Sequence, residues 1–271
     1  MTADTEHMSV FNTSDGCSIE YQRHSSTPGK SQRFVLIHSL ALDHSIWNGV
    51  VAHLSDRADI LTYDCRGHGR SGKQATSFTT ELFARDLAEL LDYMNWPSVV
   101  IAGCSMGGCV AQAFGGLYPS RVKGLGLIDT TAWYGDDAPK VWRERATAAR
   151  AKGLSGLIDF QVTRWFSDSF RSAHPDVMAS ITKVFLANDL DCYAASCALL
   201  GDADLRPYLQ SIRVPVEIVV GDEDYATPLE SAKALHDAIS NSSLTILPGA
   251  RHLTPIECPR EVASRLLRLI E

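Results

Sequence analysis

The chain has 271 residues, 45% of them hydrophobic, and a formal net charge of −7. A chain of this length can bury a substantial core. Its acidic balance argues against non-specific binding to nucleic acid or to an anionic membrane. No apolar run approaches the roughly 20 residues that a bilayer span requires.

The N-terminal residues 1–7 are polar and acidic, without the basic and then apolar regions of a signal peptide. We therefore expect the protein to reside in the cytoplasm. The seven cysteines are scattered and form no C-x-x-C pair, so neither a zinc site nor a disulfide framework is indicated. We expect them to be reduced thiols, mostly buried.

Six short apolar runs alternate with amphipathic stretches along the chain. Runs without strict polar alternation suit strands that are covered on both faces, as in a parallel sheet. The predicted strands are residues 34–37, 58–63, 98–102, 122–128, 216–220 and 244–247.

The stretches between these runs have the periodicity of helices. Residues 79–94 place their leucines on one side, and residues 110–118 follow the third predicted strand. Residues 228–239 and 259–270 each have a proline near the first turn, where its missing N–H does no harm. Alternation of strands and helices predicts an α/β fold with a mostly parallel central sheet flanked by helices.

The alternation breaks between residues 131 and 207. This stretch is rich in Ala, Arg, Trp and Phe, and its residues 143–150 are strong helix formers. We expect residues 131–207 to be a helical cap inserted into a core domain of residues 1–130 and 208–271. A cap over the carboxyl end of the sheet would lie where open α/β sheets bind ligands.

The segment Gly103-Cys104-Ser105-Met106-Gly107 follows a predicted strand and precedes a predicted helix. Gly-x-Ser-x-Gly in this setting is a nucleophile elbow, a turn so sharp that side chains at the two glycines would collide with nearby backbone. We expect a strained conformation at Ser105 and predict it to be a nucleophile. Cys104 is the competing nucleophile, but it occupies a flanking position of the turn.

A serine hydroxyl needs a base to take its proton. In this arrangement the chain order is serine, then acid, then histidine. Two histidines, His236 and His252, follow the fifth predicted strand. His236 falls within a predicted helix, whereas His252 lies in the loop directly after the last predicted strand. We therefore predict His252 to be the base.

Three carboxylates compete for the role of the acid, which holds the imidazole in the right tautomer. Asp224 fits the loop pattern Gly-x-x-Asp-x-x-x-Pro that precedes the helix beginning at Pro228. Asp222 lies closer to the strand end and is the reserve candidate, with Glu223 a third. We predict Asp224.

The oxyanion of an acyl-transfer reaction needs two N–H donors. The N–H of Met106 lies at a helix N-terminus, which favours negative charge. A second donor should come from the loop after the first predicted strand, where Leu40 is the candidate by its position after His38. We expect His38 to support this loop rather than to act as a base. Ser39 occupies a position at which many proteins that this chain resembles, the α/β hydrolases, have glycine.

The segment 64–72, Asp-Cys-Arg-Gly-His-Gly-Arg-Ser-Gly, has the charge and glycines of a phosphate loop. It lacks the Gly-Lys-Ser/Thr ending of a P-loop. Because α/β hydrolases have a similar stretch as a structural turn, we interpret it as structural.

Together these segments resemble the α/β-hydrolase superfamily, from about residue 34 to the C-terminus. A closer resemblance is to the 3-oxoadipate enol-lactonases, which open a lactone ring in aromatic catabolism. It is carried by the sequences at residues 38–43, 63–69, 141–146, 164–166, 193–194 and 203–207, with Trp47. The sequence departs from that family at Trp133, where a more polar residue is expected, and at Cys104.

The resemblance implies acyl transfer with Ser105, Asp224 and His252, oxyanion donors at Leu40 and Met106, and no metal or organic cofactor. The partner it implies is a small ester or lactone. An anionic lactone needs a cation nearby. The aromatic and cationic residues of the cap that could contact it are Trp133, Trp142, Arg145, Arg164 and Trp165.

Other functions keep the same residues. A carboxylesterase, a C–C bond hydrolase or a cofactor-free haloperoxidase relative would use the same triad, and a ligand-binding protein of this fold can retain one. An epoxide hydrolase or haloalkane dehalogenase is disfavoured, because those enzymes have aspartate where this chain has Ser105.

Overall fold

The computed structural model describes residues 8–24, 32–74 and 76–271. Residues 1–7, interpreted above as lacking a signal peptide, lie outside the described residues. The described chain forms a single eight-stranded sheet, whose strands are β1 (Ser9–Asn12), β2 (Ser18–His24), β3 (Arg33–Ile37), β4 (Asp59–Tyr63), β5 (Val99–Cys104), β6 (Val122–Ile128), β7 (Val216–Gly221) and β8 (Ser242–Leu247).

The strand order is β1-β2-β4-β3-β5-β6-β7-β8. The strands from β3 to β8 pair in parallel, while β1 and β2 are antiparallel to their neighbours. The predicted α/β fold with a mostly parallel sheet is confirmed, and the six predicted strands correspond to β3–β8. The strands β1 and β2 were not predicted, because their polar and partly exposed residues do not form an apolar run.

The helices of the core cover both faces of the sheet. In β6, Gly124 and Gly126 face side chains of the C-terminal segment, since a Cβ atom at Gly126 would lie 2.4 Å from Leu266. Leu125, which alternates with these glycines, contacts Gly115 of the helix after β5. The core helices are α1 (Asn48–Leu54), α2 (Thr80–Tyr93), α3 (Met106–Leu117), α10 (Leu229–Ala238), α11 (Thr254–Glu257) and α12 (Pro259–Leu267).

The stretch between β6 and β7 is helical. Its one β-type pairing is an isolated bridge between Trp133 and Asp204, at the two ends of the stretch, which is described throughout. Its helices are α4 (Ala138–Lys152), α5 (Ile158–Trp165), α6 (Asp168–Ala173), α7 (Pro175–Leu186), α8 (Leu190–Asp202) and α9 (Arg206–Leu209).

The end of α5 is bonded to the loop after β8. The N–H of Leu253 donates to the carbonyl oxygen of Trp165 over 3.1 Å. The guanidinium of Arg251 donates to the carbonyl oxygens of Thr163 and Phe166 over 2.8 and 3.0 Å. These bonds join the inserted helices to the same loop that carries His252.

All seven cysteines are free, and six of them are buried, as expected. None of the helices in the described chain combines the length and the apolarity that crossing a lipid bilayer requires.

The segment 64–72 forms a turn around a buried carboxylate. Asp64 accepts hydrogen bonds from the N–H and the ring Nδ1 of His44 over 2.9 and 2.7 Å, and from the N–H of Arg70 over 2.8 Å. Gly69 has a φ of 48°, and a Cβ atom there would lie 2.0 Å from the Asp64 carboxylate. The Asp64 carboxylate thus binds groups of the protein itself, in line with the structural interpretation of the segment.

Burial raises the pKa of Asp64, but the hydrogen bond from His44 and the charge of nearby histidines outweigh it, and the net pKa falls to about 2. A carboxyl with a lowered pKa stabilises the fold above its unfolded pKa of about 4, and this contribution is lost as the pH falls toward 2. Asp64→Asn should lower the free energy of unfolding at pH 7 by about 1–3 kcal/mol. It should also flatten the acid limb of stability against pH, measured by urea unfolding.

The control is Asp92→Asn. The Asp92 carboxylate is 69% exposed and pairs with Arg121 over 2.8 Å. Exposed pairs contribute about 0–1 kcal/mol, so this variant should follow the wild-type curve. An Asp64→Asn variant that also followed it would show that the turn does not depend on this carboxylate.

Candidate active site

Ser105 lies in the turn between β5 and α3, with a φ of 54° and a ψ of −114°. The glycines on either side permit this turn. A Cβ atom at Gly103 would lie 2.0 Å from the carbonyl oxygen of Gly107, and one at Gly107 would lie 2.2 Å from the carbonyl oxygen of Ile37. The expected collision and the expected strain at the serine are both confirmed.

His252 approaches Ser105 from the loop between β8 and α11. Its Nε2 atom lies 2.9 Å from the Oγ atom of Ser105, and its Nδ1 atom lies 2.8 Å from Oδ2 of Asp224. The three residues are buried, with exposed fractions of 4–5%. The structure therefore brings together a hydroxyl, an imidazole and a carboxylate in a linear hydrogen-bonded arrangement.

The carboxylate of Asp224 is fixed by its own loop. Oδ1 accepts the N–H groups of Ala226 and Thr227 over 2.7 and 3.0 Å, and Oδ2 accepts the Thr227 hydroxyl over 2.8 Å. Burial raises the pKa of Asp224, but His252 and these donors outweigh it and lower the pKa below its usual value. The lowered pKa favours the ionised carboxylate, and the hydrogen bonds to both of its oxygens fix its orientation toward His252.

The reserve candidates lie elsewhere. Asp222 is exposed and accepts the N–H of Gly249 over 2.7 Å, while Glu223 pairs with Arg251 over 3.2 Å. His236 is exposed, and its Nδ1 atom lies 2.8 Å from the hydroxyl of Ser242.

Cys104 is buried, and its Sγ atom contacts the backbone oxygen of His252 over 3.9 Å. Burial raises the pKa of this thiol well above its usual value. A thiol is nucleophilic as the thiolate, so this environment disfavours Cys104 as the nucleophile.

Two N–H groups beside Ser105 have no acceptor among the described residues. They belong to Met106, at the first position of α3, and to Leu40. The loop that carries Leu40 is braced by His38, whose Nε2 accepts the N–H of Cys65 over 2.9 Å while Nδ1 donates to the carbonyl oxygen of Ser39 over 2.7 Å. Burial lowers the pKa of His38, which keeps the ring neutral as this pattern requires.

Sequence reasoning missed Asp129, which follows β6. Its carboxylate accepts the N–H and the hydroxyl of Thr254 over 2.9 and 2.7 Å, and the N–H of Gly221 over 3.3 Å. Thr254 is two residues after His252, and Gly221 is three residues before Asp224. Asp129 thus joins the two loops that present the imidazole and the carboxylate. An isolated aspartate after a strand was the available signal.

A cavity of about 490 Å³ opens above Ser105, between the carboxyl end of the sheet and the inserted helices. Ser39, Leu40 and His252 line it together with Ser105. Four of the predicted substrate-binding residues line it, namely Trp142 and Arg145 from α4 and Arg164 and Trp165 from α5.

The structure corrects the prediction for Trp133, which does not line this cavity. Its backbone pairs with Asp204, and the guanidinium of Arg206 lies 3.9 Å from the centre of its ring. The neighbouring residue, Tyr134, lines the cavity instead. Because successive side chains of an extended segment point to opposite sides, pairing at Trp133 directs Tyr134 inward.

The two cavity guanidiniums have no carboxylate partner within ion-pair distance in the described chain. Arg145 donates to the hydroxyl of Tyr193 over 2.8 Å and stacks on Trp142. Arg164 donates to the backbone oxygen of Tyr225. Burial and the charge of Arg145 lower the pKa of Arg164 from its usual value. The cavity therefore has positive charge available to a bound anion.

Gln161 was also missed by the sequence analysis. It is 2% exposed, it lines the cavity one turn before Trp165 on α5, and its side-chain amide makes no hydrogen bond with the described protein. Its amide therefore has donors and an acceptor that a ligand or water in the cavity can use.

A family model described as "alpha/beta hydrolase fold" matches residues 32–259. The chain belongs to the α/β-hydrolase family. The curated 3-oxoadipate enol-lactonase 2 of Acinetobacter baylyi is 30% identical over 237 residues, which cover 87% of this chain and 88% of that protein.

Solved structures of other α/β hydrolases agree. The enol-lactonase from Burkholderia xenovorans is 31% identical with a TM-score of 0.89, covering 94% of this chain and 96% of that one. A thermophilic esterase from Thermogutta terrifontis, described as malate bound, is 26% identical with a TM-score of 0.89, covering 97% and 98%. The predicted resemblance to the α/β hydrolases and to enol-lactonases is confirmed.

The Asp224 carboxylate contacts Nδ1 of His252 and can be tested by substitution. Asp224→Asn preserves size but places an amide against Nδ1 of His252, which stabilises the wrong tautomer. We expect kcat on p-nitrophenyl acetate to fall by about 10⁴-fold, as for loss of this charge in other triads. Asp222→Asn, two residues away and exposed, should keep its activity. Equal losses in the two variants would contradict the assignment of Asp224.

Proposed function

We propose that the protein is a serine hydrolase that cleaves a small ester or lactone through an acyl-enzyme. The observation that carries the proposal is the 2.9 Å contact between Ser105 Oγ and His252 Nε2, with Asp224 at the other ring nitrogen. Such a contact activates a hydroxyl that is otherwise a poor nucleophile. It lies at the floor of a cavity large enough for a small molecule.

In the proposed acylation, Oγ of Ser105 bonds to the carbonyl carbon while His252 takes the hydroxyl proton. The N–H groups of Leu40 and Met106 stabilise the oxyanion. The carbon–oxygen bond to the leaving group then breaks, and His252 gives its proton to the leaving oxygen. In deacylation, water attacks the acyl-enzyme with His252 as base, and Ser105 is restored.

The substrate that we propose is 3-oxoadipate enol-lactone or a similar anionic lactone. Two A. baylyi proteins that are named 3-oxoadipate enol-lactonases, each 30% identical to this chain, support this choice. The guanidiniums of Arg145 and Arg164 support it independently, because they can bind a carboxylate. The Gln161 amide can donate to the same group. Asp137 and Glu144 also line the cavity, but both are exposed.

We also propose that residues 131–207 act as a substrate-selecting cap. The aromatic and cationic side chains that surround the cavity above Ser105 come mainly from α4 and α5. The hydrogen bonds from Arg251 and Leu253 to α5 hold this helix next to the loop that carries His252.

The first experiment compares turnover of 3-oxoadipate enol-lactone, p-nitrophenyl acetate and a C–C bond hydrolase substrate, with Ser105→Ala as the control. We expect turnover of the lactone to exceed that of the others and to disappear in Ser105→Ala. Preference for the ester or the C–C substrate would favour the alternative enzymes of this fold. Full activity in Ser105→Ala would exclude the serine mechanism, and a wild-type protein that turns over none of the substrates would favour a binding protein.

Arginine variants test the anionic substrate. Arg145→Gln and Arg164→Gln should each lower kcat/KM for the anionic lactone by about 10- to 100-fold, since a hydrogen bond to a charged group is lost. A neutral lactone of the same size should be hydrolysed at nearly the wild-type rate. Arg143→Gln is the matched control, because Arg143 is exposed on α4 and does not line the cavity. Equal effects on the two lactones would contradict a carboxylate site.

A further inference from the structure

Tyr134 lies next to the proposed nucleophile, yet the mechanism above gives it no part. Its ring lines the cavity and packs edge-to-face against Trp142, with ring centroids 5.4 Å apart and an interplanar angle of 85°. Ser105 lines the same cavity, and both Ser105 and Cys109 are close enough to the Tyr134 hydroxyl to affect its pKa. Packing of the ring thus positions a hydrogen-bond donor beside Oγ of Ser105.

The order of strands determines the side from which this donor approaches. Ser105 follows β5, which lies between β3 and β6 in the sheet. Leu40 belongs to the loop after β3, whereas Tyr134 belongs to the segment after β6. The two residues therefore flank Ser105 on opposite sides. Besides the bond to Ser105 Oγ and the oxyanion, the carbon of a tetrahedral intermediate carries an acyl group and a leaving oxygen. With the oxyanion toward Leu40, the side of Tyr134 is open to one of these two groups.

The surroundings keep the Tyr134 hydroxyl protonated. Burial raises its pKa well above the usual value of a phenol. The neighbouring Cys109 thiol is neutral too, because burial raises its pKa to about 11, and its Sγ atom donates to the carbonyl oxygen of Thr131 over 3.5 Å. At neutral pH the phenol therefore keeps its proton, and the neutral Cys109 thiol does not remove it. The Tyr134 hydroxyl is available as a donor to a reacting oxygen.

We propose that the Tyr134 hydroxyl donates a hydrogen bond to the leaving-group oxygen during acylation and is a further catalytic residue. This proposal rests on the serine mechanism proposed above. The bond from Ser105 Oγ to carbon forms, the bond from carbon to the leaving oxygen breaks, and the serine proton reaches that oxygen through His252. Tyr134 keeps its own proton and stabilises the negative charge that develops on the leaving oxygen.

The test is the dependence of rate on the leaving group. Tyr134→Phe retains the ring and removes the donor. The substrates are p-nitrophenyl acetate, phenyl acetate and a simple alkyl acetate, in which the pKa of the leaving group rises. The rate should depend more strongly on the Tyr134 donor as the leaving group becomes poorer. We expect kcat/KM of the variant to fall about 10- to 100-fold for the alkyl ester, while p-nitrophenyl acetate loses less than about 3-fold.

Tyr208→Phe is the matched control. It removes a hydroxyl that bonds Glu81 over 3.0 Å, outside the cavity, so it should leave the slope against leaving-group pKa unchanged. A loss in Tyr134→Phe that is the same for every leaving group, or no loss at all, would overturn the proposal. If Ser105→Ala retained turnover of these esters, the serine mechanism itself would fail.

A second substitution tests the proposal if the Tyr134→Phe variant folds poorly. Replacing Tyr134 by 3-fluorotyrosine keeps the ring and the hydroxyl and makes the hydroxyl a stronger donor. The ratio of the alkyl-ester rate to the p-nitrophenyl-ester rate should rise above that of the wild type. An unchanged or lowered ratio would contradict donation to the leaving oxygen.

Discussion

The arrangement of the site depends on one close backbone contact, where α3 begins against the end of β3. Gly107 approaches the carbonyl oxygen of Ile37 so closely that no Cβ atom fits between them. This contact fixes the first turn of α3, and with it the positive φ of Ser105 and the unpaired N–H of Met106. Because the next residues after Ile37 lead to Leu40, the same contact sets the distance between the two proposed oxyanion donors.

The partners of Ser105 are held by a second set of interactions, mostly buried carboxylates. Asp224 is oriented by the N–H groups that follow it, and Asp129 bonds to both Gly221 and Thr254. Burial and the nearby Asp224 carboxylate raise the pKa of Asp129 well above its usual value. The two carboxyl groups therefore have different roles: Asp224 contacts the imidazole of His252, and Asp129 joins the loops that carry Asp224 and His252.

Much of this could be predicted from the sequence, because the chemistry lies at the ends of apolar strands. Ser105, Asp224 and His252 each follow a strand of the parallel sheet, and the carboxyl ends of such strands meet at one edge. Spacing alone could not separate Asp224 from Asp222. The choice depends on a turn in which Asp224 binds its own downstream backbone. Likewise β1 and β2 carry no apolar run, and they join the sheet through antiparallel pairing of β1 with β2 and of β2 with β4.

The cavity was less predictable, since it depends on contacts between segments distant in sequence. The bridge between Trp133 and Asp204 turns Trp133 away from Ser105 and directs Tyr134 inward. The composition of the cap could reveal aromatic and cationic residues, but not which of two adjacent aromatics faces the nucleophile. The side chains that result in the cavity above Ser105 include Arg145, Arg164 and Tyr134.

Covalent labelling tests whether Ser105 is the nucleophile. The folded protein is incubated with a fluorophosphonate, and the modified peptide is located by mass spectrometry. We predict one adduct, on Ser105, with loss of hydrolytic activity in proportion to labelling. An active protein that acquires no adduct on Ser105, or that is inactivated by modification of another residue, would contradict it.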